Sequence, residues 1–131
     1  MKSGRLNRAS LYVNLASRYL AEARDYLIRG DCEKASESLW GSLMSALNAL
    51  SIARMGEPLT EHHKAKSFAK QLALELSDPK IYKAFRDAEK LHASFYHKFL
   101  TIEDLEELLP SMESAVRKIL KLVERSIGSW R

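Results

Sequence analysis

Four residues in one short stretch, Arg86, Asp87, His92 and Tyr96, have side chains suited to phosphodiester chemistry. The planar guanidinium of an arginine can hold a phosphate through two parallel hydrogen bonds. A histidine can take up or release a proton near neutral pH. Asp87 would orient Arg86 or His92, and Tyr96 would contribute a hydroxyl. The pattern is the minimum equipment for phosphodiester cleavage without a metal ion.

Each of these residues also has an ordinary structural explanation. Arg86 could form an ion pair with Glu89, three positions further along the helix, and Asp87 could pair with Lys83. His92 could be a partly buried histidine bonded to a backbone or side-chain acceptor. Its position on an apolar stripe favours that alternative, and the stripe consists of Phe85, Ala88, His92, Phe95 and Phe99.

The spacing of Arg86 and His92 sets a geometric condition on any shared site. Six residues correspond to about 240° of rotation and about 9 Å of rise on a regular helix, so the two side chains lie on different faces. Two copies of this helix crossing near a twofold axis could bring Arg86 of one copy to His92 of the other, as could a local distortion. We therefore expect a homodimer. His97 lies near the face of Arg86 but about three turns away. It could contact the far end of a ligand, but a surface histidine is the favoured alternative.

Glycines, prolines and capping residues mark the elements that must position these side chains. A first helix is expected over residues 10–29, ended by Gly30, and a second from the N-cap Asp31 to Met55, closed by Gly56. Thr60 is expected to cap a third helix that ends near Leu76. A fourth helix starts at Pro79, because proline favours the first helical position, and continues to about residue 99.

The last part of the chain is expected to contain two helices. Thr101 and Asp104 resemble a capping box, and Pro110 should interrupt the helix that they begin. The result is a short helix over residues 102–109 and a final helix over 110–127. The predicted fold is an all-α antiparallel bundle of four long helices plus one short helix ahead of the last. Residues 1–131 would form one domain, with residues 1–9 as a flexible N-terminus.

The second helix has a face of small side chains that would allow another helix to approach closely. Its partner could be another helix of the same chain or the same helix of a second subunit. The intramolecular alternative is favoured, because most helical stability comes from packing an amphipathic face. The face consists of Ser38, Gly41, Ser42, Ser45, Ala46, Ala49 and Ala53.

Composition limits the compartment and the partners. The 131 residues carry a net charge of +4, and the single cysteine, Cys32, cannot form an internal disulfide, which fits a reducing compartment. The first residues lack an apolar signal segment, and residues 39–53 are too short and too polar to span a bilayer. We expect a cytoplasmic protein without membrane contact, for which RNA is a possible partner. The scarcity of asparagine and glutamine indicates a thermophilic source.

The sequence predicts neither a metal nor a cofactor. Adjacent histidines such as His62 and His63 point about 100° apart on a helix and chelate poorly. No glycine-rich phosphate loop is present, which excludes a P-loop enzyme. Cys32 follows an N-cap, where a thiol pKa can be lowered, but without an obvious proton relay we interpret it as inert.

Several short segments together resemble a known family. A glycine-aspartate turn followed by lysine-alanine is also typical of a tetratricopeptide unit, but no second copy occurs at a period of about 34 residues. In order and spacing, the chain between residues 19 and 123 resembles the archaeal PaREP family, a branch of the HEPN superfamily of helical bundles. The segments are Gly30-Asp31, Lys34-Ala35-Ser36-Glu37, Trp40-Gly41, Leu91-His92 and Phe95-Tyr96.

The resemblance implies a fold and two alternative functions. Many HEPN proteins are metal-independent ribonucleases, often toxins, whose arginine, polar residue and histidine are matched here by Arg86, Asp87 and His92. Many of them form the site by dimerisation. Other members lack the motif and act as binding or scaffold domains. The resemblance therefore implies either a ribonuclease or a non-catalytic module that binds a nucleotide or a protein such as a nucleotidyltransferase antitoxin.

Overall fold

The computed structural model describes the backbone of residues 2–97 and 100–128 and the side chains of residues 4–93 and 100–128. The described residues form five α-helices and no strand, so the all-α prediction is confirmed. None of these helices combines the length and the apolar character needed to span a bilayer. The helices are α1 Lys2–Ile28, α2 Cys32–Met55, α3 His62–Glu75, α4 Pro79–His97 and α5 Ile102–Gly128.

Helix α2 lies at the centre and contacts each of the other four helices. Fourteen of its 24 residues are buried, as expected for a helix with neighbours on several sides. Its small-residue face packs within the chain, mainly against α1. A Cβ atom at Gly41 would lie 3.1 Å from the Tyr19 ring, and the Ser42 hydroxyl donates a 2.7 Å hydrogen bond to the Ala16 carbonyl. This face therefore gives no support to a dimer.

Most of the predicted helix ends are confirmed. The Asp31 side chain accepts a hydrogen bond from the Lys34 amide at the start of α2, and Gly56 closes that helix with a φ of 85°. Thr101 and Asp104 form the reciprocal capping box: each side chain accepts from the other residue's backbone N–H. Thr60 is a wrong prediction, because the residue before α3 is Glu61, whose side chain forms no capping hydrogen bond.

Helix α1 begins eight residues earlier than predicted, at Lys2 rather than Ser10. Its first turns pack against the end of α2. Ala9 is fully buried, the Arg8 guanidinium donates to the Gly56 carbonyl at 2.7 Å, and the Arg5 guanidinium also lies beside Gly56. These contacts stabilise helix in residues 2–9, which were expected to be a flexible N-terminus.

Pro110 does not interrupt the last helix, so the predicted pair of helices over 102–109 and 110–127 is wrong, and there is no separate short helix ahead of the last. A proline inside a helix costs about 3 kcal/mol. Burial of one large apolar side chain stabilises by roughly 1.5–3 kcal/mol, and one apolar stripe runs along α5 on both sides of the proline. Its buried members include Leu105, Met112, Val116, Ile119 and Val123.

The contact between α1 and α2 should be sensitive to size at Gly41. In the Gly41→Leu variant the new side chain would overlap the Tyr19 ring, and overpacking of this kind typically costs about 1–3 kcal/mol. Urea denaturation should show that loss relative to the parent. Gly4→Leu is the matched control, because nothing lies within 4 Å of a Cβ atom at Gly4. An equal effect of the two substitutions would contradict the close α1–α2 approach.

Candidate functional site

A group of aromatic rings forms where α2, α3 and α4 meet. The Trp40 indole of α2 stacks on the His92 imidazole of α4, with ring centres 4.8 Å apart and planes 21° apart. The His62 imidazole, at the start of α3, lies 6.4 Å from the indole, also at 21°. Phe85 contacts both Trp40 and His62. Two imidazoles therefore lie against one indole, and we call this group the Trp40 cluster.

Each imidazole of the Trp40 cluster faces a carboxylate. His62 Nε2 lies 2.7 Å from Glu89 Oε2, and His92 Nδ1 lies 3.4 Å from Glu37 Oε2. The His92 side chain is 39% exposed, but its Nδ1 and the facing Glu37 oxygen are shielded from solvent. The stack on Trp40 and the neighbouring carboxylate together restrict the orientation of the His92 imidazole. The arrangement is therefore suited to proton transfer at His92.

The structure separates Arg86 from His92. Arg86 is exposed and lines a groove of about 410 Å³ together with Tyr82, Lys83 and Lys90. Asp87 is almost fully buried and forms an ion pair with Lys83 at 2.8 Å, the structural alternative expected from the spacing. One copy of α4 therefore presents the two motif residues to different surroundings, as the spacing of six predicts.

The sequence singles out several other residues on α3 and α4. The side chains of Tyr96 and His97 lie outside the described residues. Glu89, the expected partner of Arg86, binds His62 of α3. His63 is exposed and lies 3.2 Å from Glu61.

The described residues contain no group of three or more metal-ligating side chains near one another. The thiol of Cys32 donates a 3.1 Å hydrogen bond to the Leu100 carbonyl. Burial raises the pKa of that thiol above its ordinary value, and a hydrogen bond with Ser36 offsets only part of the increase. A raised pKa lowers the thiolate fraction, which agrees with an inert cysteine.

Sequence reasoning missed four members of this site: Glu37, Trp40, His62 and Glu89. One signal was available, because Glu37 and Trp40 are three residues apart on α2, as Glu89 and His92 are on α4. Residues three apart lie on one face of a helix. The spacing does not predict that these two helix faces meet or that the start of α3 lies beside them.

The family model for the archaeal PaREP1/PaREP8 family matches residues 11–119. The chain therefore belongs to that family. No curated protein and no solved structure matches the chain.

The stack of His92 on Trp40 should contribute measurably to stability. Aromatic pairs add about 0.5–1.5 kcal/mol beyond the area that they bury, so a double-mutant cycle of Trp40→Leu and His92→Leu should give a coupling energy in that range. Chemical denaturation of the parent, both single variants and the double variant measures it. His63→Leu replaces His92→Leu in the control cycle, because His63 is exposed. A coupling no larger than the control would contradict the stack.

Proposed function

We propose that this PaREP1/PaREP8 protein is a HEPN-like, metal-independent endoribonuclease in which His92 transfers the proton. The observation that supports it most is the surroundings of His92. Its Nδ1 faces a carboxylate oxygen that is shielded from solvent, while the side chain remains partly exposed. A general base needs a fixed orientation and access to the substrate. The stack on Trp40 and the nearby carboxylate support the first requirement, and the partial exposure of the side chain supports the second.

The proposed reaction is an internal transesterification. His92 takes the proton from a ribose 2′-hydroxyl, and the 2′-oxygen forms a bond to phosphorus as the bond to the 5′-oxygen breaks. The imidazolium that His92 has then become returns the proton to the leaving 5′-oxygen, and the products are a 2′,3′-cyclic phosphate and a 5′-hydroxyl. Arg86 stabilises the extra negative charge through two hydrogen bonds to the phosphate. No metal-bound water takes part.

The remaining motif residues have supporting roles in this proposal. Asp87 would hold Arg86 or His92 in position. Its carboxylate is bonded to Lys83 of the same helix, and Asp87 lines the same groove as Arg86. Tyr96 would supply a hydroxyl to the substrate. Because Arg86 and His92 lie on different faces of α4, the proposal includes a homodimer in which each site takes one residue from each copy. The proposal also includes a toxin-like role, a cytoplasmic location and a thermophilic source.

A second candidate function is a non-catalytic binding or scaffold module. Two observations favour it: Asp87 is satisfied by Lys83, and His92 packs on Trp40. Residues with such local partners can serve packing alone in a protein without catalytic activity. The partner would then be a nucleotide or a protein such as a nucleotidyltransferase. In this reading the ring stack and the ion pair support the fold of α4, and the chain has no turnover of its own.

Incubation of the purified protein with mixed RNA, with and without a chelator, tests the ribonuclease. The parent should cleave RNA at equal rates in both conditions and leave 2′,3′-cyclic phosphate ends. His92→Ala should reduce the rate about 10²–10⁴-fold, the usual contribution of a general acid or base. The matched control is His63→Ala, which removes an exposed imidazole outside the Trp40 cluster and should cleave like the parent.

Two results would contradict the ribonuclease. One is the absence of cleavage by the parent in either condition, and the other is equal cleavage by the parent and His92→Ala. A loss of thermal stability in His92→Ala, together with an inactive parent, would favour the scaffold module.

A further inference from the structure

Three grooves follow one another along α4 and α5, and basic side chains line all of them. The first, of about 720 Å³, is lined by one row of cations on α5: Arg117, Lys118, Lys121 and Arg125. The second, of about 530 Å³, shares Lys118 with the first and adds Lys80 and Lys83 of α4.

The third groove is the one that contains Arg86. It has a volume of about 410 Å³, shares Lys83 with the second groove and adds Arg86 and Lys90. Because neighbouring grooves share lining residues, they form one continuous surface. We call it the basic groove and define it by Lys80, Lys83, Arg86, Lys90, Arg117, Lys118, Lys121 and Arg125.

The basic groove holds more positive charge than the protein as a whole. Its walls carry eight lysines and arginines against three carboxylates, those of Asp78, Asp87 and Glu113. That excess of five charges is larger than the net charge of +4 of the whole chain, so the rest of the chain is slightly acidic. The positive charge is therefore concentrated on one surface, which is the electrostatic pattern of a protein that binds a polyanion.

The three carboxylates are each bonded to a cation. Asp87 binds Lys83, and Asp78 binds Lys118. Glu113 binds both Arg117 and Arg24 of α1. The hydrogen bonds with Lys118 and Arg24 lower the pKa of Asp78 and Glu113, so these carboxylates stay ionised at neutral pH. The other five cations of the basic groove are Lys80, Arg86, Lys90, Lys121 and Arg125, and they supply the excess positive charge to which a ligand could bind.

The shape of the basic groove indicates an extended ligand. The α4 row from Lys80 to Lys90 extends for about 15 Å along the helix, which corresponds to several nucleotides at about 3.4 Å for each nucleotide of a stacked strand. A compact anion would occupy only one of the three grooves. A membrane surface would be expected to contact large apolar side chains beside the cations. Among the large exposed apolar side chains of the described residues, Leu11, Ile28 and Met55 line none of these grooves. Leu74 lines an adjoining groove that shares Asp78 with the second groove and Tyr82 with the third, so only one large apolar side chain would support contact with a membrane.

We propose that the basic groove binds the phosphate backbone of a single nucleic-acid strand along α4 and α5. This inference rests on the proposed function for the identity of that strand, which would be the ribonuclease substrate. Arg86 then belongs to the binding surface, and it is the residue that would pass a phosphate to the reacting centre. Binding to the backbone alone would be independent of base sequence and would weaken with salt.

The test is the fluorescence anisotropy of a labelled single-stranded DNA, which lacks the 2′-hydroxyl and is not cleaved by the proposed route. The variant Lys121→Glu/Arg125→Glu should bind at least about tenfold more weakly than the parent. Two lost phosphate contacts should reduce the slope of log K against log salt by about 1.4. The control Lys64→Glu/Lys66→Glu makes the same change in net charge at two exposed lysines of α3 outside the groove. It should bind within about threefold of the parent.

Three outcomes would overturn the proposal that the basic groove binds a nucleic-acid strand. The first is no binding by the parent at low salt, the second is equal weakening in both double variants, and the third is competition by anionic vesicles as effective as the DNA at equal charge. The result also separates the two proposals. If the parent cleaves RNA but both double variants bind DNA equally weakly, the proposal for the basic groove is wrong and the ribonuclease proposal stands. If only Lys121→Glu/Arg125→Glu weakens DNA binding and the parent does not cleave RNA, the proposal for the basic groove stands and the ribonuclease proposal is wrong.

Discussion

The regular backbone of α4 determines which of its side chains can meet at one place. One stripe of the helix is buried against its neighbours and includes Ile81, Ala84, Phe85, Ala88 and Leu91. With that stripe fixed, Glu89 and His92 lie towards α2 and α3, where they meet Glu37, Trp40 and His62. Lys83, Arg86 and Lys90 lie in a groove on the surface. A straight helix cannot bring residues six positions apart to one point, so the Trp40 cluster and the basic groove are two separate surfaces of one helix.

Local signals in the sequence were sufficient for most of the fold. Asp31, Gly56 and the Thr101–Asp104 box act within one turn of the chain, and so could be recognised from neighbouring residues. The failures occurred where tertiary burial outweighed a local preference. Pro110 is tolerated because apolar residues on both sides of it share one buried stripe, and residues 2–9 are helical because they pack at the end of α2.

The candidate site was predictable only in part. Arg86, Asp87 and His92 were found from residue type and spacing, and their separation followed from helix geometry alone. The partners of His92 were not found, because Glu37 and Trp40 are more than 50 residues away in sequence and reach it through the packing of α2 on α4. The basic groove depends in the same way on the pairing of α4 with α5. Its cations alternate with acids along the chain, and only the fold separates them.

Membership of the archaeal PaREP1/PaREP8 family and the all-helical fold are compatible with both proposed functions, so the decisive question is whether Arg86 and His92 act on the same phosphate. If each site takes one residue from each of two copies, the inactive variants Arg86→Ala and His92→Ala should restore one another. With random pairing, about half of the dimers contain one copy of each variant, and one of the two sites in such a dimer has both Arg86 and His92. About a quarter of all sites would then be complete.

The measurement is the rate of RNA cleavage after the two variants are mixed, unfolded and refolded together, with each variant refolded alone as the control. Our account predicts cleavage by either variant alone at no more than about a hundredth of the parental rate, and at about a quarter of the parental rate in the mixture. An active parent whose variants stay inactive after mixing would contradict a site shared between two copies.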